Sequence, residues 1–272
     1  METINGRLLE EGDRRYKVNH QRPFQKMGEL SSEDMNECFE FAYEMAFGEG
    51  NHRSNRSGGK RKRKPGEIFI DTFQGKAAEY AIFRYLLEND IETTKPDISV
   101  EGYGVWDSFD LEYADIHIAV KSTKFYGNLL LLETKDWNER GEYVPNNETG
   151  INKYDMLILI RVSPDAEKAM EKRGLLYKSN IEKILLQDII YKLKWTYDIA
   201  GYITNKDLVR LIERKYILPK GAMLNGKTPM DAENYYVQAG DMRSSKEMIH
   251  RLQKYKQTFE KGLTEECGYD NI

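Results

Sequence analysis

Two residues in the first half of the chain, Asp110 and Lys121, could cooperate in one reaction with a second carboxylate. Two carboxylates can share a divalent cation bound through oxygen, and Mg²⁺ accepts such ligands while keeping several of its waters. A lysine beside them can orient or deprotonate a water and offset the negative charge that develops as a phosphodiester is attacked. They work together only if the fold brings them within reach of one ligand. Residues 107 to 123, DSFDLEYADIHIAVKST, carry both Asp110 and Lys121 and alternate as a β-hairpin does. If Phe109, Leu111 and Tyr113 share a buried face with Val120, Ile118 and Ile116, the strands pair 109 with 120, 111 with 118 and 113 with 116, around a turn at Ala114 and Asp115. The opposite face then carries Asp110 across from Ala119, Glu112 across from His117 and Ser108 across from Lys121. Asp110 and Lys121 stand one diagonal step apart on it.

Glu79 lies in QGKAAEYAIFRYL, part of a helix expected from about 72 to 89. Its neighbours one and two turns on are Phe83 and Leu86, at the border of the apolar stripe. A carboxylate there calls for a cation. A bound metal would satisfy it, and so would an ion pair with Lys76 one turn back.

These residues resemble the PD-(D/E)xK nuclease superfamily and, within it, the type II restriction endonucleases. The family pattern is an Asp, then after a short hairpin an apolar strand ending (D/E)-x-K, often followed by Ser. Asp110 with Ala119-Val120-Lys121-Ser122-Thr123 fits it, except that Ala119 takes the acidic position. Some members supply the missing carboxylate from the preceding helix, where this chain offers Glu79. The resemblance implies Mg²⁺ as cofactor, with Glu79 and Asp110 as metal ligands and Lys121 assisting the attacking water. It also implies double-stranded DNA as substrate and a homodimer with two-fold symmetry. A repair or recombination nuclease of low specificity is the alternative in the same class, and a DNA-binding protein that keeps the fold without the activity is the alternative outside it. A rival register for the motif is Glu133-Thr134-Lys135, with Asp115 eighteen residues before Glu133. It matches the letters better, but Asp115 falls in the hairpin turn, and Glu133 is then an outer carboxylate beside the site. Pro96-Asp97 is a literal PD, read more simply as a turn opening a strand.

The elements that must position these residues follow from periodicity. Residues 31 to 47 begin with a Ser cap and early acids and read as a helix. Strands are expected from 97, 107, 114, 128 and 154, the last two apolar enough to be central. Beyond 165 the pattern is mostly helical, through DAEKAMEKRG, IEKILLQDIIYKLK, a helix of about ten residues after Thr204 and a final amphipathic helix from 244. The fold class is therefore α/β (α+β), a mixed central sheet flanked by helices, with the restriction-endonuclease-like core implied by the resemblance. Its parts are residues 1–65, helical with a basic loop; 66–165, the catalytic core; and 166–272, for DNA recognition or dimerisation.

Two surfaces could meet DNA. RSNRSGGKRKRK contributes Arg53, Arg56, Lys60, Arg61, Lys62, Arg63 and Lys64 without an acidic residue, a segment able to follow a phosphate backbone. Asn234, Tyr235, Tyr236 and Gln238, in what reads as a loop, have side chains that can contact or stack on bases. At 272 residues and 40% hydrophobic content the chain can build a core without staples. Its two cysteines, Cys38 and Cys267, have no metal-ligand spacing and suit a reducing compartment. With no run of eighteen apolar residues and a polar, acidic start, the chain is expected in a prokaryotic cytoplasm, away from membranes.

Overall fold

The computed structural model describes residues 6–48, 63–99, 109–146 and 152–266. Along the chain come Leu9–Glu10 (β1), Arg15–Lys17 (β2), Gly28–Glu29 (β3), and the long helices Ser32–Phe47 (α1) and Pro65–Leu87 (α2). Leu111–Tyr113 (β4) and Ile116–Lys124 (β5) follow, then Leu129–Glu133 (β6) and Met156–Ser163 (β7). Ala166–Lys172 (α3) and Lys183–Ile190 (α4) lead to Thr196–Thr204 (β8) and Asn205–Glu213 (α5). Ile217–Leu218 (β9), Met223–Leu224 (β10), Thr228–Pro229 (β11) and Asn234–Gln238 (β12) precede the last helix, Ser245–Glu266 (α6).

The result is a mixed α/β architecture around a five-stranded sheet in the order β3-β8-β7-β5-β4. β5 and β7 run parallel, and the other pairs are antiparallel. Strand β7 is buried on both faces, as its unbroken apolar run requires. Met156, Ile158, Ile160 and Val162 enter the core beneath α2, while Leu157 and Leu159 enter a second core on the other side. Helix α2 lies between α1 and the sheet, which explains why it is apolar nearly all round. It begins at Pro65, well before the expected 72. Pro at the first helical position loses no helix bond, and the Glu67 carboxylate accepts the Lys64 backbone N–H at 2.9 Å. Buried Asp34 of α1 accepts from Arg84 of α2 at 2.7 Å and ties the two helices together.

Two expectations are corrected here. The apolar strand β6 is not in the central sheet; it stands at the edge of a separate sheet, β6-β12-β9, that covers the second core. The chain beyond 165 is not mostly helical, because it supplies β8 to the central sheet and β9 to β12 to two smaller ones. Strand β8 is hidden in the sequence by Asp198 and Gly201. At Gly201 the ladder with β7 shifts by a residue, and a Cβ there would lie 2.5 Å from the Cβ of Met242. The strand expected from 97 is not formed over 97–99, and its remaining residues lie outside the described ones. No helix among the described residues is long and apolar enough to cross a membrane.

Candidate active site

The hairpin pairs Leu111 with Ile118, Glu112 with His117 and Tyr113 with Ile116, around Ala114 at φ 54°. These are the expected partners, and Glu112 and His117 approach to 3.6 Å. The ladder does not extend to 109 and 120. Instead the chain bends at Asp110, whose carboxylate accepts the Val120 backbone N–H at 2.6 Å. Phe109 therefore leaves the face shared by Leu111 and Tyr113, stacks on His117 at 4.9 Å and packs with the second core. Ser108 lies outside the described residues, so its expected place across from Lys121 does too. Lys121 is partly buried on β5, with its backbone paired to Leu159 of β7.

Glu79 projects from α2 with its side chain 14% exposed. Lys76 reaches its Oε2 at 2.6 Å, donates to the Asp97 carbonyl at 2.7 Å, and lies 4.8 Å from the Phe41 ring centroid. Burial pushes the Glu79 carboxyl up to about 8, and the Asp110 carboxylate adds to the rise; Lys76 and Lys121 pull the other way. One carboxyl thus feels both other residues of the expected set. The strand after Lys121 is also tied to the helix, since Gln74 Nε2 donates to Ser122 Oγ at 3.4 Å.

No family model, no curated protein and no solved structure matches the chain.

The donor set must therefore be judged on its own chemistry. No group of three or more His, Cys, Asp or Glu with metal-holding geometry occurs among the described residues. The Glu79 carboxyl is buried and is raised in part by Asp110, and Mg²⁺ needs few protein ligands because it retains waters. Glu79 and Asp110 would hold it. The same residues are satisfied without it, Glu79 by Lys76 and Asp110 by the Val120 amide.

The rival set is divided. Asp115 accepts a hydrogen bond from Tyr255 of α6, at the hairpin turn of the central sheet. Glu133 ends β6 in the other sheet, paired with Lys135 at 3.2 Å. Its carboxyl is raised by burial, and Lys135 only partly opposes that. Lys135 itself is largely exposed.

Of the basic segment, Arg53, Arg56, Lys60, Arg61 and Lys62 lie outside the described residues. Arg63 pairs with Asp71 at 3.0 Å, and Lys64 caps α2 with its side chain exposed. The expected recognition loop is instead strand β12, corrected by its pairing with β6. Asn234, Tyr236 and Gln238 are buried, and only Tyr235 is partly exposed. Asn234 donates to the Ala232 carbonyl at 3.0 Å and the Tyr236 hydroxyl accepts from Leu8 N at 3.1 Å. Gln238 accepts from Asn19 and His20 and donates to Gly6 and Arg7. Reading bases would require these three to abandon bonds inside the protein, at about 1–3 kcal/mol for each group left unsatisfied.

Sequence reasoning found Lys76 by helix spacing, but not its bond to the Asp97 carbonyl. That contact joins residues far apart in sequence through a backbone oxygen, which leaves no signal in residue type.

Proposed function

We propose that this chain is a Mg²⁺-dependent endodeoxyribonuclease of restriction type, built on a PD-(D/E)xK-like core. What carries the reading is the convergence on one buried carboxyl: Glu79, brought by α2, feels the charge of Asp110 and Lys121, brought by the hairpin. The hairpin's own ladder is closed by backbone bonds and by Asp110 at Val120, so Glu79 of α2 is not among the groups that close it.

In this reading Glu79 and Asp110 bind the ion. When bound, Mg²⁺ supplies Lewis acidity toward the phosphate and lowers the pKa of a coordinated water. Lys121 orients or deprotonates the attacking water and offsets negative charge as it develops. Asp110 is oriented by the Val120 amide, and the packing of α2 against β5 sets the distance between the two carboxylates. The basic residues from 53 to 64 follow the phosphate backbone of duplex DNA, and two copies of the chain cut the two strands of a palindromic site.

One observation favours a second reading, a DNA-binding protein that keeps this core without cleavage. Ala119 stands at the position of the family's acid, and Lys76 already occupies Glu79. Incubation of purified protein with long unmethylated duplex DNA, with and without Mg²⁺, separates the readings. Discrete bands that need Mg²⁺ are expected. A Mg²⁺-dependent smear would indicate a nuclease of low specificity, and DNA left intact but retarded on a gel would favour the binding protein.

A further inference from the structure

Lys76 is a cation already seated at the carboxylate that the proposed function gives to a metal. Its side chain is 10% exposed, its Nζ is 2.6 Å from Glu79 Oε2, and its remaining contacts are the Asp97 carbonyl and the Phe41 ring. A lysine used only to solvate Glu79 could do so from the surface. This one is buried with it and held by two further groups that attract cations, so the ammonium can let go of Glu79 without being stranded.

We propose that Lys76 is a built-in competitor of the divalent cation at Glu79. It occupies Glu79 Oε2 in the metal-free protein, and it yields Glu79 when the ion binds, keeping the Asp97 carbonyl and the Phe41 ring as its alternative partners. Binding of metal is thereby weakened by design and coupled to the segment 91–99, which Lys76 anchors to α2 through Asp97. The inference rests on the metal-binding reading of Glu79.

The test is calorimetric titration of Mn²⁺ and of Mg²⁺ into full-length protein stripped with a chelator, in the absence of DNA. Wild type is compared with Lys76→Met, Lys76→Gln, Glu79→Gln and the double variant Lys76→Met/Glu79→Gln. Removing a fixed positive charge a few ångströms from the ligand should tighten binding by about tenfold or more in both Lys76 variants. The double variant should lose that gain. Lys76→Gln keeps an amide donor for the Asp97 carbonyl, so the result stands if Lys76→Met fails to fold. Unchanged or weaker binding in a folded Lys76 variant, alongside a wild type that binds the ion and cleaves DNA, overturns the competitor role and leaves the nuclease reading intact. Absence of binding in every protein overturns both.

Discussion

Asp110 and Lys121 are reached from one strand pair and Glu79 from another element, so the three can be tested separately. Replacement of Lys121 by Ala should lower Mg²⁺-dependent cleavage by about 10²-fold or more, because a group that meets developing charge is lost. Lys135→Ala should change it by no more than a few-fold, since Lys135 is exposed and pairs with Glu133 in a different sheet. Equal losses in gel-based rates would undo the choice of Lys121. Glu79 gives a second signature in the metal-free protein. Its carboxyl titrates at about 8 when folded, above its ordinary 4.5, so the folded state holds a proton that the unfolded state has released between those values. The stabilisation it gives is full below about 4.5 and is lost as the pH rises through 8. Denaturant midpoints should carry this downward slope, on the order of a few kcal/mol in total, and Glu79→Gln should flatten it. A slope unchanged by the substitution would assign the titration to another group.

Among the elements, helix α5 shows how a cap can join separate parts of the fold. Thr204 ends β8 and starts α5, its Oγ1 accepting from Asp207 N while the Asp207 carboxylate accepts from Thr204 N. Arg243, ahead of α6, donates to the same carboxylate at 3.0 Å and 3.1 Å. Burial pushes the Asp207 carboxyl up, but the bonds from Arg243 and Thr204 outweigh it and hold it below its ordinary value. Its sign is opposite to that of Glu79: the stabilisation is present above the unfolded pKa and is lost as the pH falls through the folded one. Asp207→Asn should therefore destabilise at neutral pH by roughly 1–3 kcal/mol and narrow its gap to wild type in acid, read by thermal melts across pH. A constant gap would mean that the charge is not used. The cap was legible, because Thr204 and Asp207 are neighbours in sequence. Local pairing also made the β4–β5 turn and two of its three expected pairs legible. Strand β8 was not, since Asp198 and Gly201 look out of place until Arg161 and Met242 are seen beside them. The sequence of β6 reads as a strand but not as one of its true sheet, because an apolar run records burial without saying which sheet provides it. Composition reads Asn234, Tyr236 and Gln238 as a loop, because the bonds that hold Tyr236 and Gln238 come from the distant N-terminal segment.

At the scale of the molecule, the N-terminal segment is a strap across the sheet rather than a separate region, and one buried ion pair secures it. Arg161 of β7 is fully buried; its guanidinium donates to Asp198 of β8 at 2.7 Å and to the carbonyls of Arg22 and Pro23 at 2.6 Å and 3.0 Å. Asp198 also accepts the Gln25 N–H at 2.9 Å. Further along the strap, Arg22 donates to the carbonyls of Ala200 and Met242, at the bulge opened by Gly201. The strap thus reads out the alignment of β7, β8 and the approach to α6 together, and its next turn brings Asn19 and His20 to Gln238. Removing one partner of such a pair leaves a charge in the interior, which is more costly than losing both. Asp198→Ala is expected to destabilise by about 3–5 kcal/mol, and the pair replaced together by apolar residues by less. The difference has a spatial signature. In Asp198→Ala, amide hydrogen exchange should accelerate from 18 to 30 and along β8, while the hairpin carrying Asp110 and Lys121, on the far side of β7, keeps its protection. Acceleration in the hairpin equal to that in the strap would show that the site depends on the N-terminal segment, and that the sheet opens as one unit.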